Sequence, residues 1–271
     1  MKQMRIGFIG FGHMAEILYE AFDRAKILPR GHYLFTRRDP AKKKAAEEKY
    51  KITACGLDHL IQESDVLILA VRPQQMEDAM EQMLAVGDLE GKTLISILAG
   101  VKVHSFQKKV PGLPVIRVMP NLASSVGEGM TTLTYSKECS PEIREFARML
   151  FSAVGKIVEI EEQQIDIATG LSGSGPGFVF RLIDAFAKEG ERGGLSREQA
   201  LSMAAQTFYG AAKLLLQGHD LETLIVQIAV PNGTTQAGLD KMRELEVGPR
   251  VQEVVRAAAK RSIELSKHSS S

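Results

Sequence analysis

Met4-Arg5-Ile6-Gly7-Phe8-Ile9-Gly10-Phe11-Gly12-His13-Met14-Ala15 is the stretch whose reading decides the fold. Met4 to Ile9 is a short apolar run with the composition of a buried strand, and a Gly-x-Gly-x-x-Ala pattern follows it at once. Gly10 permits a tight turn, Gly12 leaves no Cβ where the backbone must approach a pyrophosphate, and Ala15 lets the next helix pack closely on the strand. A helix is expected from His13 to about Lys26, with Ile17, Leu18, Ala21 and Phe22 as its apolar face. Its N-terminal N–H groups and positive dipole end would then face the phosphates of a dinucleotide. An isolated match of this kind fits an ordinary glycine turn equally well. Its position between an apolar strand and an amphipathic helix selects the dinucleotide reading.

Outward from that motif, His32-Tyr33-Leu34-Phe35 reads as a second strand ending at Thr36-Arg37-Arg38. Asp39 and Pro40 suit the N-cap and first position of a basic helix. A site that prefers NAD carries an acidic residue at the end of this second strand, against the ribose 2′-hydroxyl. Thr and two Arg stand there instead. Guanidinium groups suit a 2′-phosphate, so NADPH is the expected cofactor, with NADH a weaker alternative. Lys42 to Lys44 read equally well as a solvated surface.

Strands and helices keep alternating. Val66 to Val71, Thr93 to Ile97 and Val115 to Val118 are apolar strands separated by helices at about Gln74 to Ala85 and after Val103. They lack a period-two polar alternation, as expected for a parallel sheet covered by helices on both faces. The predicted unit is a Rossmann-type doubly wound α/β domain over residues 1–162. Three loops fall beyond the carboxyl ends of its strands, where such folds bind ligands: Arg72-Pro73-Gln74, Ala99-Gly100 and Met119-Pro120-Asn121.

Composition excludes several classes. Lys and Arg number 34 against 33 Asp and Glu, so no overall field favours nucleic acid or an anionic membrane. No apolar run reaches the ~18 residues of a membrane span, and the N-terminal strand does not resemble a secretory leader. Cys55 and Cys139 stand far apart and outside any Cys-x-x-Cys pattern, which fits a reducing, cytoplasmic setting and offers neither a disulfide framework nor a metal site. The six histidines are scattered.

Thr131 to Tyr135 and Lys156 to Ile160 still read as strands, and from Gln163 the chain is expected to be all helix, a second domain over residues 163–271. Ser196-Arg197-Glu198-Gln199 is a capping-box pattern that starts a helix to about Gln217. The apolar residues of that helix run nearly all the way round it, which predicts burial between subunits of a homodimer. Two stretches in this half are rich in small residues: Gly170-Leu171-Ser172-Gly173-Ser174-Gly175-Pro176, expected as a loop before a helix from Gly177 to Lys188, and Val230-Pro231-Asn232-Gly233-Thr234-Thr235. Either could be a plain helix cap, and either could receive a carboxylate on free N–H groups. No Ser-His-Asp set or carboxylate pair stands out. Hydride addition to an already protonated C=N bond needs little acid–base help from the protein and fits this inventory.

These segments together resemble the pyrroline-5-carboxylate reductase family over essentially the whole chain. The resemblance rests on Gly7 to Ala15, Ala70-Val71-Arg72-Pro73-Gln74, Ser96 to Gly100, Arg117-Val118-Met119-Pro120-Asn121, Thr169 to Pro176, and Gly233-Thr234-Thr235-Gln236-Ala237-Gly238-Leu239. It implies a Rossmann domain followed by an all-helical domain that intertwines with its twin in a dimer, with larger assemblies of such dimers in some members. Carried over, Gly10, Phe11, Gly12, His13 and Met14 would hold the pyrophosphate. Thr36 and Arg37 would lie near the 2′-phosphate, and Ala70, Val71, Arg72, Pro73 and Ala99 would line the nicotinamide side. Gly233, Thr234 and Thr235, with Ser174, would hold the substrate, a small cyclic imine. The Thr235 hydroxyl would also lie near the ring nitrogen, and hydride would pass to ring C5 of 1-pyrroline-5-carboxylate to give L-proline.

Departures from the family pattern concentrate at the substrate loop. Val230-Pro231-Asn232 replaces the usual Ser-Pro-Gly, and Val226-Gln227 replaces an Asp followed by Asn or Gln. Elsewhere His13 stands for Asn or Gln, Leu57 for an Asn, Arg72 for Lys, and Leu122-Ala123 for Thr-Pro. Two alternatives therefore stand beside the leading reading: a reductase of another cyclic imino acid, and a non-catalytic NADP-binding regulatory paralogue. A β-hydroxyacid dehydrogenase shares the Rossmann start, but no lysine in a glycine-rich helix pattern supplies its acid/base group.

Overall fold

The computed structural model describes residues 4–268, and by compactness the chain divides into two units. The first runs to Ser174 and resumes at Ala257, and the second is Gly175–Arg256. By compactness residues 163–174 go with the first unit, and the last turns of the final helix meet it at Asp166, which accepts from the Ser262 hydroxyl at 2.6 Å, and at Gly100.

Eight strands make one sheet: β1 Ile6–Ile9, β2 Tyr33–Thr36, β3 Thr53–Ala54, β4 Val66–Leu69, β5 Thr93–Ser96, β6 Val115–Met119, β7 Gly129–Tyr135 and β8 Gly155–Glu159. Their order is β3-β2-β1-β4-β5-β6-β7-β8. The helices of this unit are α1 His13–Arg24, α2 Pro40–Tyr50, α3 Leu57–Glu63, α4 Met76–Val86, α5 Val103–Gln107, α6 Pro141–Ser152 and α7 Ile165–Ala168. Then come α8 Gly175–Arg192, α9 Arg197–Leu216, α10 Leu221–Ile228, α11 Thr234–Glu244 and α12 Val247–His268.

The apolar strands alternate between two cores instead of between core and water. Phe8, Ile68, Ile95 and Ile116 face one side, while Ile9, Leu67, Leu69 and Leu94 face the other. The first core is aromatic around Phe11, whose ring lies 4.6 Å from Phe35, 5.4 Å from Phe8 and 5.6 Å from Tyr50. The second is built on Leu60, Ile61 and Phe106 with the methionines of α4: Met76, Met80 and Met83. Unbranched methionine fills the irregular space there.

The strands at Val66, Thr93 and Val115 pair parallel as the apolar pattern suggested, and β7, whose direction that pattern left open, runs antiparallel to β6. Only residues 120–128 connect them, fewer than the dozen or more that a parallel crossover requires. Two short elements, β3 and α3, and the helix α6 were not anticipated. For α6 a signal was present, since the Ser140 side chain accepts from the Ile143 N–H at 3.3 Å and Pro141 occupies the first helical position.

The small-residue stretch 170–176 is helical, not a loop. After α7 comes a π-helical turn, Thr169–Gly173, Ser174 keeps helical angles, and α8 begins at Gly175. The Ser174 N–H donates to the Thr169 carbonyl at 2.8 Å, so this one N–H is spent within the turn. Small side chains at Gly170, Ser172 and Gly173 tolerate the wider turn, and the Asn121 amide donates to the Ser172 carbonyl at 3.1 Å.

Arg117 is buried in β6 with 3% exposure. Its Nη1 donates to Glu162 Oε1 at 2.9 Å, and the same oxygen accepts the Val103 N–H at 2.7 Å. Arg117 Nε has no partner among the described residues. Burial lowers the pKa of the guanidinium, and Glu162 opposes that shift. Glu162 thus ties the segment after β8 to β6 and to the start of α5.

The second unit buries little. Its core is Ala187, Ala200 and Ala204 with Ile183 packed on them. The Ser196 capping box forms, with the Gln199 N–H donating to Ser196 Oγ at 3.2 Å and the Ser196 N–H to Gln199 Oε1 at 3.0 Å. In a single copy, however, most of the large apolar residues of α9 stay exposed while Ala200 and Ala204 are buried: Met203 and Leu216 are each 60% exposed and Tyr209 53%.

The Arg117–Glu162 pair yields a stability prediction. Glu162→Ala leaves a buried charge uncompensated and should cost about 3–5 kcal/mol of unfolding free energy, whereas Arg117→Met combined with Glu162→Leu should recover most of it. Denaturant titration of the three proteins measures this. A loss below about 1 kcal/mol in Glu162→Ala would remove the pair from the account of stability.

Candidate functional site

The sheet order reverses around β1: β2 and β3 follow on one side, β4 and later strands on the other. A cleft of about 400 Å³ opens at the carboxyl ends of β1, β2 and β4, the place where doubly wound sheets receive ligands. Gly10 forms its floor at φ +84°, a left-handed conformation that admits glycine. A Cβ there would also lie 2.9 Å from Val71 Cγ1 and 3.0 Å from the Ala70 carbonyl oxygen. The Gly10 N–H donates to the Thr36 carbonyl at 3.2 Å, holding the ends of β1 and β2 together.

Gly12 is the N-cap of α1, and no side chain caps that helix. A Cβ on Gly12 would meet nothing within 4 Å, so space stands open before the first turn. Uncapped N–H groups beside open space fit the pyrophosphate of a dinucleotide. Of the cofactor residues expected from sequence, Gly10, Phe11, Gly12, Thr36, Arg37, Ala70, Val71 and Arg72 line this cleft. His13, Met14, Pro73 and Ala99 do not. Phe11 is 1% exposed, with its ring in the aromatic core, so it has no free side chain to offer.

The β2 side of the cleft carries Arg37, Arg38, Asp39 and Lys42. Asp39 caps α2 as expected, its Oδ1 accepting the Lys42 N–H at 3.1 Å. Both arginines are engaged: Arg37 Nη1 donates to Glu16 Oε1 at 2.8 Å, and Arg38 Nη2 donates to Asp78. Arg38 in turn holds the Asp78 carboxyl below the usual carboxylate range. Sequence reading missed Gln75, Ala79 and Gln82 in the wall. The last two are three apart on α4 and share a helix face, a spacing that could have revealed them once the turn after β4 was known. Leu57, singled out from the sequence as a departure, also lines the cleft.

Ser174 ends the first unit, whereas Gly233, Thr234 and Thr235 lie in the second, at the start of α11. Gly233 is the N-cap of that helix, and no side chain caps it. The Gly233 N–H donates to the Val230 carbonyl at 2.9 Å, and a Cβ on Gly233 would meet Val230 Cγ2 at 2.7 Å. Asn232 sits at φ +59°. Outside glycine, asparagine is among the residues that adopt this conformation most readily. Asn232 therefore preserves a backbone geometry that glycine would otherwise supply, which leaves Val230 as the chemical departure in the loop.

Other reactive groups are committed elsewhere. Burial pushes both the Cys55 and Cys139 thiols up, away from thiolate character. No group of three or more His, Cys, Asp or Glu that could hold a metal occurs among the described residues. A second cavity of about 400 Å³ borders Tyr135, Arg144, Glu159 and Glu162. Its charged groups are satisfied within the fold, Glu159 by Arg148 and Tyr135, and Arg144 by the Cys139 carbonyl and the Tyr135 ring.

Comparison with known proteins matches residues 162–265 to the family described as pyrroline-5-carboxylate reductase dimerisation. Residues 5–100 match the family described as NADP oxidoreductase coenzyme F420-dependent. Pyrroline-5-carboxylate reductase 1 of Bacillus spizizenii is 35% identical over 97% of this chain and 90% of its own length. Pyrroline-5-carboxylate reductase of Methanosarcina acetivorans is 35% identical over 98% of this chain and 100% of its own. Among solved structures, the Plasmodium falciparum pyrroline carboxylate reductase with NADP bound has a TM-score of 0.88 at 25% identity, covering 98% of this chain and 99% of that one.

Proposed function

We propose, because the chain belongs to the pyrroline-5-carboxylate reductase family, that it reduces the C=N bond of 1-pyrroline-5-carboxylate to L-proline with NADPH as hydride donor. The observation that carries this reading is the cleft itself, where the left-handed Gly10 turn and the uncapped start of α1 fit a pyrophosphate. NADPH, when bound, supplies the hydride. The protein's part is to hold the dinucleotide through Gly10, Gly12 and the first turn of α1, and its 2′-phosphate through Thr36, Arg37 and Arg38. His13, Met14, Pro73 and Ala99, outside the cleft wall, are proposed contacts for the rest of the cofactor. On the substrate side, the uncapped N-terminus of α11 receives the carboxylate at Gly233, Thr234 and Thr235, and the Thr235 hydroxyl serves the ring nitrogen. Ser174 offers this substrate its side chain only, its N–H being already bonded within the π-helical turn.

The proposed division of labour is cofactor binding by residues 1–162 and dimerisation with substrate binding by residues 163–271. The homodimer would bury the apolar residues that α9 leaves exposed. No helix among the described residues is long and apolar enough to cross a membrane. The free thiols Cys55 and Cys139 suit a reducing compartment, so the cytoplasm is the compartment proposed.

Purified protein should oxidise NADPH when pyrroline-5-carboxylate is added, followed by the loss of nicotinamide absorbance. Arg37→Ala combined with Arg38→Ala should weaken NADPH by roughly 1 to 3 kcal/mol, the scale of charge-assisted hydrogen bonds, with NADH almost untouched. Equal losses for the two dinucleotides would sink the 2′-phosphate assignment. Thr235→Ala should lower kcat/KM by on the order of ten- to a hundredfold at unchanged NADPH affinity, the value of one hydrogen bond to a charged group. A variant with unaltered kcat/KM would take Thr235 out of the site. Light scattering at micromolar concentration should find dimers or larger species, and a folded, soluble monomer there would contradict the proposed role of α9.

A further inference from the structure

Every cation on the β2 side of the cleft is matched by a carboxylate. Arg37 pairs with Glu16 at 2.8 Å, Arg38 with Asp78, and Lys42 Nζ lies 3.9 Å from Asp39 Oδ2. The region that the sequence marks as a phosphate-binding cluster is therefore close to neutral. Donors are not the limiting resource, since the Arg37 fork carries five N–H groups and one is given to Glu16. What the carboxylates remove is net positive charge, and a 2′-phosphate depends on that charge far more than a 2′-hydroxyl does.

The three carboxylates differ in how strongly water screens them. The Asp78 and Asp39 side chains are 54% and 49% exposed, whereas Glu16 is 26% exposed and its Arg37 partner 22%. Exposed pairs contribute little, so Glu16 dominates. Its position is also fixed. Glu16 lies in the first turn of α1, where a negative charge is favoured by the helix dipole. Its other oxygen lies 3.3 Å from the Tyr50 hydroxyl, which has a second acceptor in Glu20 Oε1 at 3.0 Å, and the Tyr50 ring is 7% exposed and packed against Phe11 and Tyr19. Lys49 Nζ donates to the same hydroxyl at 2.7 Å. The Glu16 carboxylate is thus bonded to Arg37 on one side and faces the shared Tyr50 hydroxyl on the other.

We infer that Glu16 is a specificity-determining residue whose carboxylate, bonded to Arg37, opposes a 2′-phosphate and narrows the preference for NADPH over NADH. The inference rests on the cofactor assignment proposed above. Glu16→Gln removes the charge with the shape kept: the amide oxygen still accepts from Arg37, and the amide NH2 takes the place of the second oxygen, where it can donate to the Tyr50 hydroxyl oxygen.

Dissociation constants for NADPH and NADH, measured by equilibrium fluorescence titration of the full-length protein, test it without reference to turnover. In Glu16→Gln, NADPH should bind roughly three- to fivefold more tightly, with NADH unchanged within about twofold. Asp78→Asn, on the exposed face of α4, should shift the ratio in the same direction by less. An unmoved ratio in Glu16→Gln would overturn the inference, and weaker NADPH binding would overturn it in favour of a role in orienting Arg37. Wild-type protein that binds neither dinucleotide would defeat the cofactor assignment and this inference with it, whereas wild-type binding with an unmoved ratio defeats the inference alone.

Discussion

The left-handed turn at Gly10 is the constraint on which the rest of the structure depends. It must bring β1 to an end, hold β2 through the Gly10 N–H, and start α1 with its N–H groups unspent, all within three residues. A side chain at Gly10 would meet both Val71 and the Ala70 carbonyl, so the turn and the close approach of the β4 end exclude any other residue. Phe11, between the two glycines, anchors the turn from below. Its ring is the meeting point of Phe8, Phe35 and Tyr50, so the aromatic core of the sheet sets the position of the cofactor cleft.

Features written in consecutive residues were legible in the sequence, and features that depend on distant partners were not. The Gly10 to Ala15 pattern, the Asp39 and Ser196 caps and the apolar strand runs each need only a few neighbours, and all formed as read. The direction of β7 depended on the length of a connector, and the connector's limits were themselves unknown. The π-helical turn at 169–173 defeated the reading of its glycines and serines as a loop, because composition cannot distinguish a wide helical turn from a connector. At the cleft, Arg37 and Arg38 were found from sequence but their carboxylates were not. Glu16 is 21 residues from Arg37 and Asp78 is 40 from Arg38, and no local pattern joins them.

Resemblance to a family carried the substrate loop further than local reading could, and the structure then separated its departures. Asn232, at φ +59°, takes up a backbone conformation that glycine would otherwise supply. Val230 has no such account. It is 58% exposed, and its carbonyl holds Gly233 in place, so the backbone of the loop is retained while the side-chain chemistry at that position is apolar.

The sparse core of the second unit has a thermodynamic consequence. Ala187, Ala200 and Ala204 bury too little surface to offset the conformational entropy of four and more helices, while Phe180, Met203 and Leu216 remain more than half exposed. In the proposed homodimer such a unit would draw stability from mass action: its folding equilibrium would contain the concentration of a second chain, and each tenfold dilution would remove a fixed increment of free energy. The sheet unit has two large cores of its own and would carry less of that dependence.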